Sequence, residues 1–270
     1  ITNPWALWVD EGAVRFDGSI TTNAANHKGT LLFSKPIGGL VWSRDVGDVS
    51  NDILVAIGET VSDNAALVDR RLIVLSTAII GQVDTGTWVV GTNQPKLDTG
   101  TVANVPYYVW LIMRADTGVV DILFSASGTA PTMPANYAHK RLIGWFIRAG
   151  AVNTPFSVNE LEGGGIHFTW TDPIADVALA ATLTTARRTD ALSGPLAFSV
   201  LVNIRALADD GTVFQALVGN PDETDTAPSS TTTPGFNLRS HVAGVVASFE
   251  GWIRTSSAGL VYSRASLTVD

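Results

Sequence analysis

A chain of 270 residues carrying a net charge of −8 and no cysteine excludes several functions at once. Sequence-independent nucleic-acid binding needs a surplus of lysine and arginine against phosphates, and disulfides, thiolate catalysis and cysteine metal sites are ruled out together. Hydrophobic residues make up 46% and charged residues only 16%, with 25 glycines and eight tryptophans, a profile closer to a stiff assembly subunit than to a highly solvated enzyme, with surface covered by partners.

No apolar run reaches the roughly 20 residues of a membrane helix. The opening ITNPWALWVD lacks the basic region and cleavage pattern of a signal peptide, so a soluble chain without membrane insertion is expected. Short apolar runs punctuated by Gly, Asp, Asn and Pro then follow at the spacing of sandwiches and barrels. They are Ala13 to Phe16, Leu31 to Phe33, Leu40 to Trp42, Ile53 to Ile57, Leu72 to Ile80 and Thr87 to Val90. Glu59 to Arg71 reads equally as a short helix after Ser62 or as a connecting loop.

The strongest strand signal is Pro106 to Ala115, PYYVWLIMRA. Tyr107, Val109, Leu111 and Met113 share one parity and Tyr108, Trp110 and Ile112 the other, so both faces are apolar and the strand is buried on both sides, in a sandwich or at a subunit contact. Tyr107, Val109, Trp110 and Leu111 are accordingly candidate contacts of a homo-oligomer. Asp116-Thr117-Gly118 is a hairpin link to Val119 to Ser125. Pro131 and Pro134 mark a surface loop over Thr129 to Tyr137, and Lys140 to Arg148 returns as a third strand.

Pro155 and the Gly163-Gly164-Gly165 run interrupt any regular element, which places a boundary between two β-sandwich or jelly-roll-like regions, 1–158 and 159–270. In the second, Ile166 to Thr171, Leu196 to Ala206, Thr212 to Val218, His241 to Ala247, Gly251 to Thr255 and Leu260 to Val269 read as strands, with Ser256 to Gly259 as a hairpin link. Asp176 to Thr185 alternates as a strand while also suiting a helix, and the surrounding signals favour strand. Asn220 to Gly235 is a polar loop. The fold class expected is all-β with very little helix.

No residue pattern makes a catalytic constellation. His27, His139, His167 and His241 lack metal-ligand spacing, no G-x-S-x-G elbow occurs, and no glycine run is followed by the Lys-Ser or Lys-Thr of a phosphate loop. Paired carboxylates of the glycan-cleaving kind have candidates in Asp10 and Glu11, Asp45 and Asp48, Glu160 and Glu162, Asp209 and Asp210, and the cluster Asp222, Glu223 and Asp225. Each sits in a turn-like context where local hydrogen bonding explains it. Asp222 and Asp225 remain candidates for ligand or calcium binding through oxygen, without the D-x-D-x-D-G pattern. Among the tryptophans, most are expected in the core. Trp5 and Trp8, near the start, are candidates to touch a ligand or a neighbouring subunit. No cofactor is expected.

The run Trp88-Val89-Val90-Gly91-Thr92-Asn93, then Leu97-Asp98-Thr99-Gly100-Thr101, then Tyr107-Tyr108-Val109-Trp110-Leu111-Ile112 resembles a W-x-x-G-T…L-D-T-G…Y-h-V-x-L-I pattern of uncharacterised tailed-bacteriophage structural proteins. Asp116 to Asp121, Leu123 to Ser125, Pro131 to Pro134, Tyr137 and Lys140 to Gly144 continue it in order. The chain departs from the pattern at Tyr108, where histidine is common, and at Gln94-Pro95-Lys96, where glycines are. The resemblance implies a β-sandwich virion component, a fibre-knob, receptor-binding or head-decoration protein. By the same analogy it would be a homotrimer touching other virion proteins and host-surface glycan, localised to the virion after assembly in the bacterial cytoplasm. A glycan-cleaving tailspike-type enzyme and a stand-alone carbohydrate-binding module are the alternatives.

Overall fold

A computed structural model describes residues 37–66, 69–161, 165–176, 183–195, 198–208, 215–224, 227, 236–239 and 247–266. Trp5, Trp8, Asp225, the runs Ala13 to Phe16 and Leu31 to Phe33, and most of His241 to Ala247 lie outside them. The described residues are all-β, with no α-helix among them.

The first strands are β1 (Ile37–Gly39), β2 (Trp42–Arg44), β3 (Asp52–Val55), β4 (Gly58–Val61), β5 (Leu72–Leu75) and β6 (Ile79–Gln82). They form two antiparallel three-stranded sheets in the orders β1-β4-β5 and β2-β3-β6. Leu72 to Ile80, one apolar run in the sequence, is therefore two strands in different sheets, broken at Ser76-Thr77-Ala78. Residues 62–66 and 70–71 are not helical, Asp69 lies in a 3₁₀ turn with its N–H donating to Ala66 O at 3.0 Å, and Thr87 to Val90 is loop, not strand.

Next come β7 (Pro106–Arg114), β8 (Val120–Ser125), β9 (Tyr137–Ala149) and β10 (Val152–Asn153), ordered β10-β9-β7-β8. β7 is central, which is why its sequence is apolar at both parities. Its Tyr107, Val109 and Leu111 join Ile53, Val55, Ile73, Leu75, Ile122, Phe124 and Phe146 in the main core, while Tyr108, Trp110 and Ile112 meet Leu123 and Tyr137 on the other face. Loop residues Trp88 and Met133, with Phe198 from later in the chain, close over that second face. Tyr107, Val109, Trp110 and Leu111 are thus buried within one chain; the cover assigned to a neighbouring subunit in the sequence reading comes from the chain's own loops and sheets.

The register between β7 and β9 slips between Val109, opposite Gly144, and Trp110, opposite Leu142. The extra residue, Ile143, is a β-bulge. Arg148, buried near the end of β9, holds the neighbouring loops together: its guanidinium donates to Ser50 O, Asn51 Oδ1, Asn153 Oδ1 and Ala151 O.

The hairpin β11 (Phe156–Glu160) and β12 (Ile166–Trp170) straddles residue 158, with Phe156 opposite Trp170 and Glu160 opposite Ile166. Phe156 and Val158 are buried in the main core, and Ile166, Phe168 and Trp170 pack against it. The hairpin on both sides of residue 158 therefore belongs to the first core.

The remaining strands are β13 (Arg188–Ala191), β14 (Leu201–Ala208), β15 (Gln215–Gly219), β16 (Phe236–Arg239), β17 (Ala247–Arg254) and β18 (Leu260–Ala265). They make a four-stranded sheet, β13-β18-β15-β16, and a two-stranded ribbon, β14-β17. Ala216, Leu217, Val218, Ile253, Val261 and Tyr262 are buried here. Ser256 to Gly259 closes as a tight turn between β17 and β18, the Gly259 N–H donating to Ser256 O at 3.0 Å and the Ser256 N–H to Leu260 O at 2.9 Å. Beyond it the two strands pair with other partners and pass into different sheets.

Candidate functional site: an aromatic cleft

Alternation along β12 puts Ile166, Phe168 and Trp170 on the half-buried face and His167 and Thr169 on the exposed face. Phe168 is the centre of a ring stack. Its ring lies nearly parallel to Trp145 at 4.2 Å, to Phe156 at 5.2 Å and to Trp42 at 6.5 Å, and Trp170 meets it edge-on at 4.8 Å. Trp170 also packs edge-on against Trp145 at 5.6 Å. Offset-stacked and edge-to-face pairs satisfy the ring quadrupoles, so the cluster is rigid, and its outer rings are only half-buried.

Opposite stands the β14-β17 ribbon. Glu250, Trp252 and Arg254 alternate on one face of β17, and across the ladder stand Arg205, Asn203 and Leu201. The charged neighbours two residues either side turn this face to solvent, and Trp252 goes with them at 48% exposure, beside Leu201 at 62%. On the other parity Ile253 is buried and Val202, Ile204 and Gly251 are half-buried. The Trp252 ring comes to 6.5 Å from the imidazole of His167. Between the first core and the ribbon lies a cavity of about 810 Å³, lined by Trp42, Trp145, Phe168, Trp170, Asn203 and Trp252 among others. His167 and Asp176 are the only ionisable residues along its described lining. One Asp176 carboxylate oxygen already accepts the Ser193 N–H at 2.7 Å.

The residues singled out in the sequence lie elsewhere. Asp222 is exposed in a turn, its N–H donating to Asn220 Oδ1 at 2.9 Å. Asp45 accepts the Gly47 N–H, and Asp48 accepts those of Ser50 and Asn51, which is the local hydrogen bonding that turn carboxylates perform. Glu160 accepts the Gly39 N–H at 3.2 Å. Among the described residues no group of three or more His, Asp or Glu is placed to hold a metal ion.

A second polar cluster lies beneath the loops that cover β8. Asp121 is fully buried, its two carboxylate oxygens accepting the N–H groups of Ile122 and Gly91, both at 2.7 Å. Burial pushes its pKa up despite those bonds. Tyr137, 7% exposed, takes Trp88 edge-on at 5.2 Å and leaves its hydroxyl without a hydrogen-bond partner. Burial first, and the Asp121 charge second, push its pKa up from 10.0 to about 12. A raised folded-state value gives a contribution that is fully present below pH 10.0 and lost as pH rises toward about 12. Tyr137→Phe is therefore expected to leave stability at neutral pH unchanged or raised, because an unpartnered buried hydroxyl is removed. It should also flatten the alkaline decline. Urea unfolding midpoints measured from neutral pH to beyond the folded pKa check both; an equally steep decline in the variant refutes the assignment.

No protein-family model matches this chain, and no curated protein matches it. The cleft and its chemistry are read from its own residues alone.

Proposed function

We propose that the chain is a structural component of a bacteriophage virion, of the fibre-knob, receptor-binding or head-decoration kind, a homotrimer that acts by multivalent contact and carries out no catalysis. The observation behind the proposal is that the residues carrying the resemblance to tailed-phage structural proteins bond to one another as a single module. Trp88 packs edge-on against Tyr137 at 5.2 Å and donates its indole N–H at 3.0 Å to the backbone carbonyl of Ile122, between two of the motif runs. Gly91 donates to Asp121, and Asp98 accepts both the Ser125 hydroxyl at 2.7 Å and the Thr132 N–H at 2.8 Å. Gly91, Gly100 and Gly118 each hold a positive φ, the conformation that explains glycine at those motif positions. A motif whose members interlock in this way is a folding unit, and that supports treating the resemblance as one of a whole module.

Multivalency turns weak individual contacts into firm attachment when many copies sit on one particle. The test is to locate the protein on intact virions by cryo-electron microscopy with antibody labelling. Several ordered copies on the capsid surface, neck or tail are expected. Absence from purified particles overturns the proposal. Release of reducing ends from host polysaccharide, abolished by changing one acidic residue, replaces it with a tailspike-type enzyme. A stable monomer in sedimentation at micromolar concentration removes the trimer.

A further inference from the structure

We propose that the cleft between the β11-β12 hairpin and the β14-β17 ribbon binds a neutral oligosaccharide of pyranose units, with Trp252 as the stacking platform. The inference narrows the surface contact of the virion proposal to one place and one ligand class, and rests on that proposal only for its biological setting.

A pyranose needs two things from a protein: a flat aromatic face against its axial C–H groups, and short neutral donors and acceptors around its ring of hydroxyls. Both are present and face each other. Trp252 is half exposed on a regular strand, so its ring is displayed by rigid backbone, with Asn203 directly across the ladder. The opposing wall is the solvent-facing side of the β11-β12 hairpin. There His167 and Thr169 are exposed and line the cavity, with Asn203 on the ribbon side. Hydroxyl, amide and imidazole groups each donate and accept, which suits sugar hydroxyls that do the same. The half-buried rings of Phe168, Trp145 and Trp170 continue the apolar floor.

The shortage of charge decides the ligand class. His167 and Asp176 are the only ionisable residues along the described lining. The charges that flank Trp252 on its face are mixed in sign, Glu250 opposite Arg205 and Arg254 opposite Leu201, so no cluster of cations gathers there against a phosphate, sulfate or sialic acid carboxylate, as recognition of such groups requires. The alternative occupant, a second copy of this chain pressed on Leu201 and Trp252, would want a broad dry contact; a concave cleft with one hydrogen-bonding wall is the form of a small-ligand site.

The test uses the full chain, titrated by calorimetry and tryptophan fluorescence with cellohexaose, maltohexaose, chitohexaose and mannohexaose, and with a heparin hexasaccharide as the charged counterpart. Saturable binding of at least one neutral probe, with quenching of tryptophan emission, is expected. Trp252→Ala and Asn203→Ala should each bind about tenfold more weakly or worse, about 1.4 kcal/mol. Their circular dichroism and melting temperature should not change, because both side chains stand on the exposed face. The proposal is overturned if no neutral probe binds at about 10 mM, where even a millimolar Kd gives saturation. It is equally overturned if the charged probe binds as well, if both variants bind normally, or if Trp252→Ala changes only self-association. None of these results bears on whether the protein sits on virions, and absence from virions leaves saccharide binding by the isolated chain intact.

Discussion

Trp110→Ala is expected to lower the folding stability of the isolated chain by about 3–5 kcal/mol, the usual cost of emptying a buried aromatic site. Trp110 is 2% exposed, between Leu123, Tyr137 and the half-buried Met133 and Leu142. Its indole N–H donates to Ser127 O at 3.1 Å, and the Lys140 ammonium stands 5.1 Å from its ring. Alanine removes the ring, the loop anchor and the cation–π contact together, and central β7 leaves the surrounding sheet little room to collapse into the space. The discriminating measurement is the urea midpoint at two protein concentrations well apart. A loss independent of concentration means that Trp110 is core, as its burial dictates. A near-normal midpoint for the dissociated chain, with the loss confined to association, would return Trp110 to a subunit contact.

The same strand shows what was legible in the sequence. Apolar residues at both parities of PYYVWLIMRA demand cover on two faces, and β7 has it; what sequence periodicity cannot say is which atoms provide it. Here the cover includes loop residues, Trp88 and Met133, whose polar surroundings carry no hydrophobic period. Thr87 to Val90 failed as a strand for that reason: Trp88 is apolar because it plugs the outer face of the sheet, while Val89 and Val90 stay exposed. Leu72 to Ile80 was legible as β but not as two strands, because Ser76-Thr77-Ala78 carries neither glycine nor proline to announce the break.

The cleft was less legible, because it is assembled from strands far apart in sequence. One signal was present. Glu250 and Arg254 flank Trp252 at a spacing of two, and in a strand whose charged residues face solvent a residue of the same parity must do likewise. Trp5, Trp8, Asp222 and Asp225 were singled out by proximity to a terminus or by local clustering, neither of which encodes where a sheet places its faces. The ring stack around Phe168 depends on β12 lying beside β9 and β2, and no local pattern reports that.

Gly144→Ala is expected to destabilise the protein by about 1–3 kcal/mol through overpacking, a fall of roughly 2–4 °C in melting temperature for each kcal/mol in a chain of this size class. The cause is a single close approach. A Cβ at this position would stand 2.5 Å from Cδ2 and Cε2 of Trp42, and that ring has no easy retreat. Trp42 is 2% exposed, its indole N–H donates to Trp145 O at 2.8 Å, and it stacks on Phe168. Gly144 is placed under the ring by the bulge at Ile143, so glycine is required here for space and not for backbone conformation. Any retreat of Trp42 pushes on Phe168 and through it on the floor of the cleft, so saccharide binding should weaken along with stability. A double-mutant cycle separates the clash from other effects: Trp42→Leu alone costs packing, yet in the Gly144→Ala background it should restore part of the lost melting temperature, because the added methyl then has room. Strict additivity of the two losses would show that the Trp42 ring does not constrain position 144.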